Sequence, residues 1–256
     1  MQYLNQSFLN NMEALKEQEM LDALTQEFKS MFPSRTRILG DKNLNLFLTH
    51  QQKRAKYYDY NYYEDLKRYA LVAFYLGTYF DEDKLYPWVQ TILQEEESFG
   101  VKVDSLMEQF KELSQETMGE DFIYFLKALE KLEYLTQERI EGFRTYTDVV
   151  TTLKHIYPQR FKAIDEEQLY EELKIQKIEM VQYKIDTPLG AFTYLTTKFM
   201  LGSQVLRDPL YAWVRKYMKK DFSSDREKSR ALFAKGQSRV RKELQTIKRN
   251  LKREEV

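Results

Sequence analysis

Apolar residues recur at three- and four-residue steps along most of the chain, which is the spacing of the buried face of an α-helix. The first such series covers residues 3–32 and ends before Pro33, because proline disfavours helix for the residue that precedes it. Only eight Gly and five Pro are present, whereas Glu, Lys, Gln and Leu, which favour helix, are abundant. The pattern predicts an all-α fold.

Further helices are predicted from near Asp41, through residues 71–76 after a tyrosine-rich segment, and through residues 88–93. In the middle of the chain, residues 98–105 have the character of a loop that ends in a helix cap at Asp104 or Ser105. Residues 118–121 are predicted to be a second break, which an apolar helix over residues 122–135 follows.

One stretch of sequence occurs twice. Residues 74–89 and 199–214 share the pattern L-G-x-x-x-x-x-D-x-L-Y-x-W-V at an ungapped offset of 125 residues. Between residues 28–93 and 153–218, sixteen of 66 positions are identical, where average residue usage gives roughly four by chance. Because this period is far longer than the roughly 20–50 residues of solenoid repeats, the match predicts a tandem duplication of a helical bundle unit.

The repeat predicts that the chain is divided into four parts. The first helical unit is residues 1–97 and the second is residues 136–220, with a helical connector at residues 98–135 that is too apolar to be a flexible linker. Residues 221–256 are predicted to form a basic amphipathic helix, whose narrow apolar stripe is typical of a two-helix contact. We expect the two units to pack together as one body.

The composition of the chain excludes several classes of site and of protein. The chain contains no Cys, which excludes disulfides, thiolate metal sites and a cysteine nucleophile. The first residues lack the pattern of a signal peptide, and no apolar run reaches the roughly 18 residues of a membrane span. We therefore expect a cytoplasmic protein with no membrane span.

The net charge is zero but unevenly distributed. Residues 215–256 contain fifteen Lys/Arg and six Asp/Glu, a net charge of +9, which the rest of the chain balances with −9. Basic side chains on a helix can bind phosphates, so nucleic acid is a candidate partner for residues 215–253, with Lys242, Lys248 and Arg249 as candidate contacts. The alternative is that this helix docks on the acidic body of the same or a neighbouring molecule.

The repeated pattern supplies the other candidate residues. Tyr86, Trp88, Tyr211 and Trp213 occupy equivalent places, where they either contact a partner or belong to the core. The repeated acids are Asp83 and Asp208, which precede helices and are predicted to be structural helix caps.

Two arginines are repeated as well, each two residues after a repeated proline. Arg35 and Arg160 are predicted to pair with Asp83 and Asp208 in an Arg–Asp clamp within each unit. If that clamp does not form, the two arginines become candidates for binding an anion.

No catalytic, cofactor-binding or metal-binding motif occurs, and neither His50 nor His155 follows a Glu at the spacing of a metal site. The sequence therefore favours a non-catalytic interaction or adaptor protein that binds a protein partner or assembles as a homo-oligomer. The alternative is a nucleic-acid-associated factor. The third possibility is an enzyme with a site between the two units, which would need carboxylates of shifted pKa in a deep pocket.

Overall fold

The computed structural model describes residues 6–60, 62–164 and 166–254. Within these ranges every regular element is helical and no strand is present, so the all-α prediction is confirmed. The α-helices are α1 Gln6–Met31, α2 Pro33–Leu39, α3 Asp41–Tyr57, α4 Tyr63–Leu76, α5 Pro87–Leu93, α6 Phe99–Met118, α7 Ile123–Glu133, α8 Gln137–Glu141, α9 Tyr146–Ile156, α10 Pro158–Ala163, α11 Glu166–Gln182, α12 Pro188–Leu201, α13 Ala212–Lys219 and α14 Asp225–Glu254. Short 3₁₀ helices lie at Phe80–Glu82, Glu120–Phe122 and Pro209–Tyr211.

Proline determines where several helices begin. All five prolines of the sequence stand at the first residue of an α- or 3₁₀ helix: Pro33, Pro87, Pro158, Pro188 and Pro209. Proline suits this position because the first backbone N–H groups of a helix have no intrahelical acceptor. The break predicted after α1 at Pro33 is therefore also the start of α2.

The predicted loop at residues 98–105 is wrong. Helix α6 already begins at Phe99, with Ser98 at the N-cap in an extended conformation. Phe99 and Val103 lie one turn apart and are both buried, so their shared apolar face extends the helix through this segment. Gly100 allows α4 to approach closely, because a Cβ atom there would lie 3.1 Å from Asp65 Oδ2.

Other boundaries follow the predictions more closely. The break at residues 118–121 is present, with Gly119 at φ +74°, and α7 follows it. The basic helix predicted over residues 221–256 corresponds, within the described residues, to α14, which begins at Asp225. The part of the first predicted helix at residues 3–5 lies outside the described residues.

One hydrophobic core joins most of the elements. It extends from Leu21 on α1 to Leu244 on α14 and includes buried residues of the predicted connector, such as Leu106 and Leu129. Phe28, Phe47 and Phe74 form an aromatic cluster in it, with ring centroids 5.2–6.0 Å apart. The connector is thus part of the core, and the described residues form one compact body.

Helix α14 packs on α7 and α12 of the same molecule. Gln237 Nε2 donates a hydrogen bond to the Leu132 carbonyl at 2.8 Å, and Thr187 Oγ1 donates to Ser229 Oγ at 2.7 Å. Lys248 forms an ion pair with Glu130 of α7. Helix α14 is therefore docked on the rest of the same molecule. No helix in the described part of the chain is long and apolar enough to cross a membrane.

Several helix bounds recur along the chain. Helices α3 and α11 each contain 17 residues, and α4 and α12 each contain 14. In both pairs the second helix begins 125 positions after the first. Below, the first half means residues 28–93 and the second half means residues 153–218.

Candidate binding cavity between the two halves

In the turns that follow α4 and α12, the aspartate of each half accepts a hydrogen bond from the backbone of the other half. Asp83 of the first half accepts a hydrogen bond from the Ser203 backbone N–H at 2.8 Å. Asp208 of the second half accepts one from the Thr78 backbone N–H at 2.8 Å, and another from the Thr78 hydroxyl. Both aspartates are buried. Because Asp83 and Asp208 are equivalent in the repeat, as are Thr78 and Ser203, the two contacts are reciprocal.

Each aspartate also accepts a hydrogen bond from the backbone of its own turn, and only Asp208 stands at the N-cap of a helix. Asp208 stands at the N-cap of the 3₁₀ helix at Pro209–Tyr211 and accepts a hydrogen bond from Leu210 N at 2.8 Å. Asp83 accepts one from Leu85 N at 3.0 Å, but α5 begins two residues later, with Tyr86 at its N-cap. The prediction that Asp83 is a helix cap is therefore corrected.

The repeated glycines lie at this contact. Gly77 has φ +115° and Gly202 has φ +104°, a region that favours glycine because it lacks a Cβ atom. A Cβ atom on Gly77 would lie 3.3 Å from Asp208 Oδ2, and one on Gly202 would lie 3.1 Å from Asp83 Oδ2. Glycine at both positions thus allows the turn of each half to approach the aspartate of the other.

The two repeated arginines also reach across the halves. Arg35 Nη2 donates a hydrogen bond to Tyr211 Oη at 3.3 Å. Arg160 Nη2 donates to Tyr86 Oη at 2.7 Å, and its Nε donates to the Phe199 carbonyl at 2.6 Å. In the described residues neither arginine forms an ion pair with a carboxylate.

The predicted Arg–Asp clamp within each unit is therefore wrong. The physical reason is that backbone N–H groups of the two turns already occupy the carboxylates of Asp83 and Asp208. Their hydrogen bonds to a charged acceptor are of the strong kind. The arginines are left with phenol and carbonyl oxygens as acceptors.

The tyrosine partners do not neutralise the arginines. Burial raises the pKa of Tyr211 to about 12, although Arg35 acts in the opposite direction. Burial likewise raises the pKa of Tyr86, against the effect of Arg160. Both phenols are therefore uncharged near neutral pH and supply no opposite charge, whereas Asp208 interacts electrostatically with Arg35, and Asp83 with Arg160, without direct contact.

Both arginines line a cavity of about 640 Å³, called the central cavity below. Its walls come from α2, α7, α12 and α14 together with the 3₁₀ helix at Pro209–Tyr211. Most lining side chains are apolar, including Phe125, Leu129, Phe192, Met200, Val240 and Ile247. The exposed side chains of Met31, Ile38 and Phe122 also line it, so the cavity reaches the surface. Its volume lies within the range of roughly 300–1,000 Å³ that is usual for small-molecule sites.

The charged lining residues are mostly basic. They are Arg35, Arg160, Arg239 and Lys242, with Glu243 as the only carboxylate among the described lining residues. Their formal net charge is +3. Three polar atoms of the lining residues have no hydrogen-bond partner in the described part of the chain, namely Thr196 Oγ1, Gln237 Oε1 and Arg239 Nε. The cavity thus combines apolar walls with a concentration of positive charge and a few polar groups.

Sequence reasoning missed the polar residues of α12. Thr193, Thr196 and Thr197 all line the cavity and are buried. The hydroxyls of Thr193 and Thr197 donate to backbone carbonyls one turn earlier, each at 2.7 Å. Their spacing of three and four residues in an otherwise apolar helix was the available signal, because such residues share one helix face.

The structure brings some of the predicted site residues together and separates others. Arg35, Arg160, Tyr211, Trp213 and Lys242 line the central cavity, and Tyr86 is attached to it through Arg160. The remaining candidates do not line it: Trp88, beside Ser105 and Glu108 of α6; Lys248, in its ion pair with Glu130; and the exposed Arg249. The two equivalent tryptophans are therefore in different environments.

Within the described ranges, the cavity lining contains one carboxylate, that of Glu243. Among the described residues, no group of three or more His, Asp or Glu side chains is placed to bind a metal ion. The arrangement is suited to holding an anionic or polar group against apolar walls. Comparison of the chain with protein-family models, with curated proteins and with solved structures gives no match.

Proposed function

We propose that this chain is a non-catalytic binding protein whose ligand occupies the central cavity. The observation that carries the proposal is the cavity itself, with about 640 Å³ of space between apolar helices. Proteins are normally packed with few voids larger than a water molecule, so a space of this size with mainly apolar walls favours a ligand. This proposal differs from the sequence-based prediction, in which the binding partner is a protein or a second copy of the chain.

We also infer that the two halves arose by tandem duplication. The sixteen identities at one offset support this, as do the equal lengths of α3 and α11 and of α4 and α12. The reciprocal contacts of Asp83 with Ser203 and of Asp208 with Thr78 add a third line of support. The cavity then lies where two related units meet, which is a common place for ligand sites.

A protein partner, or a second copy of this chain, is the second candidate function. Exposed apolar side chains on α11 favour it: Ile178 is 65% exposed and Val181 is 74% exposed. Nucleic-acid binding by residues 215–253 has less support, because part of the basic face of α14 is already engaged with Glu130 and Glu133 of α7. An enzyme between the halves has the least, with Glu243 alone as a carboxylate at the cavity.

The proposed function can be tested with a neutral apolar fluorophore, N-phenyl-1-naphthylamine, and substitutions at Gly236. This glycine of α14 lines the cavity, and a Cβ atom there would meet only Thr193 Cγ2, at 4.0 Å. A larger side chain at Gly236 is therefore able to enter the cavity. We expect saturable binding by the natural chain and at least tenfold weaker binding by the Gly236→Phe variant.

Gly236→Ala is the matched control. It should keep the binding and raise the free energy of unfolding by about 0.5–1 kcal/mol, because alanine is the better helix former. Circular dichroism would establish that both variants are folded. Absence of saturable binding by the natural chain, or equal binding by a folded Gly236→Phe variant, would exclude the cavity as the binding site.

A further inference from the structure

The charged groups of the central cavity indicate what kind of ligand it holds. We infer that the ligand is an amphiphile with one anionic head group, which Arg35 and Arg160 bind together, and an elongated apolar tail that lies between α12 and α14. This inference rests on the proposed function, since it concerns the same cavity.

The hydrogen-bond partners of the two arginines favour an anionic ligand. A guanidinium group carries five N–H donors, of which Arg35 uses one and Arg160 uses two in the described contacts. An ionised side chain in an apolar setting is costly unless an opposite charge accompanies it. A carboxylate or phosphate head group supplies that charge and accepts paired hydrogen bonds from arginine.

The two arginines are arranged to act on one head group. Their phenol partners, Tyr211 and Tyr86, each stand three residues after the aspartate of the same turn. Each of these aspartates accepts a hydrogen bond from the turn of the other half, and these bonds hold the two turns together. Both arginines line the same cavity.

The tail is expected to be elongated because the apolar lining is elongated. The lining positions of α14 extend from Phe233 to Leu251, which corresponds to about 27 Å of helix at 1.5 Å per residue. Val240 and Ile247 lie between them, and Phe192 and Met200 of α12 also line the cavity. An alkyl chain fits such a channel better than a compact ring system does.

Glu243 works against an anion and therefore provides a sensitive test. Its side chain lines the cavity from α14 and forms no ion pair in the described part of the structure. The neighbouring Lys242 and Arg239 leave the lining with a net positive charge. Removing the Glu243 charge should strengthen the binding of an anionic ligand and leave a neutral ligand unaffected.

The experiment is isothermal titration calorimetry of the full chain with dodecyl phosphate, dodecanoate, dodecan-1-ol and inorganic phosphate, each in monomeric form. We expect one molecule of either anionic amphiphile to bind per chain, at least tenfold more tightly than dodecan-1-ol. Whichever of dodecyl phosphate and dodecanoate binds more tightly identifies the head group. Inorganic phosphate alone should bind far more weakly, since it has no tail.

Substitutions then locate the head group. Arg35→Gln and Arg160→Gln should each weaken the binding of the anionic amphiphile by about tenfold to a hundredfold, as expected for a hydrogen bond to a charged group. Neither should change the binding of dodecan-1-ol. Glu243→Gln should strengthen anion binding, whether or not the arginine variants fold. Arg249→Gln is the matched control, because Arg249 is exposed on α14 and does not line the cavity.

The outcomes separate this inference from the proposed function. Equal binding of dodecyl phosphate, dodecanoate and dodecan-1-ol would overturn the anionic head group and leave the apolar cavity site intact. Equal affinity for inorganic phosphate and dodecyl phosphate would overturn the tail. If neither an amphiphile nor the neutral fluorophore binds, the proposed function fails and this inference fails with it.

Discussion

The half-buried residues Arg54 and Glu179 stand 125 positions apart, carry opposite charges, and each pair with a buried residue of the opposite sign. In the first half, Arg54 Nε lies 2.5 Å from the fully buried Asp81. The equivalent position in the second half is Glu179, which lies 2.5 Å from the buried Lys198 and accepts a hydrogen bond from Tyr194 at 2.7 Å. An unpaired buried charge is costly, and the two halves meet that requirement with partners at different places, Asp81 in the first half and Lys198 in the second. The charge of a residue in the first half therefore does not predict the charge of the residue 125 positions later.

His50 provides a prediction at the same scale. Its ring lies 4.5 Å from that of Tyr79, and burial lowers the pKa of His50 below 6.5, with Asp81 acting in the opposite direction. The unfolded chain then binds this proton more tightly than the folded chain does. We therefore expect the free energy of unfolding to fall as the pH drops below about 6.5 towards the folded-state pKa, and to be restored above it.

The measurement is urea unfolding between pH 7.5 and pH 5.5. The His50→Gln substitution removes the titrating ring, so the free energy of unfolding should fall less steeply with decreasing pH. The His155→Gln substitution, at an exposed position, should leave the steepness of this fall unchanged. Arg54, Glu82 and Arg207 also influence this pKa, so the comparison must be made with these residues intact. The same pH dependence in the natural chain and in His50→Gln would show that His50 does not contribute.

At the scale of the elements, the turns after α4 and α12 join the halves. Removing the charge of either aspartate takes a strong acceptor away from buried N–H donors. We expect Asp208→Asn and Asp83→Asn each to lower the free energy of unfolding by roughly 1.5–3 kcal/mol, the usual value of hydrogen bonds to charged groups. Asp208→Asn should cost more, because Asp208 accepts from three donors and Asp83 from two.

Chemical denaturation measures these differences, and the repeat supplies a matched pair of controls. The Thr78 hydroxyl donates to Asp208, so Thr78→Val should lower the free energy of unfolding by about 1 kcal/mol. The Ser203 backbone binds Asp83, but its hydroxyl has only a weak contact with Gln204, so Ser203→Ala should have a smaller effect. Aspartate variants within about 0.5 kcal/mol of the natural chain would contradict a joining role for these turns.

The helices were largely predictable from the sequence, and the contacts between them were not. Apolar periodicity and the positions of proline determine most helix starts, because both act locally. Helix α6 begins earlier than expected at Phe99, since its first turn depends on burial against distant residues. The match at an offset of 125 residues identified Arg35 and Arg160 as corresponding positions. It could not tell that each contacts the other half, because a sequence repeat does not say whether equivalent residues pair within a unit or between units.

At the scale of the whole molecule, the central cavity depends on segments that are far apart in the chain. Its lining residues extend from Met31 to Leu251. The apolar stripe of the basic helix was visible in the sequence, and so was the acidic body on which it could dock. The cavity between α14 and the two halves could not be predicted from the sequence, because its size depends on how side chains from distant parts of the chain pack. Arg35 and Arg160 line that cavity, and in the described part of the chain their hydrogen-bond partners are uncharged.

The most direct test of the binding site is a crystal structure of the full chain grown with saturating dodecyl phosphate. We predict one molecule in the central cavity, with its phosphate within hydrogen-bonding distance of Arg35 and Arg160 and its alkyl chain between α12 and α14. Dodecyl phosphate ordered only on the outer surface, with the cavity closed by side chains, would contradict a binding site between the two halves.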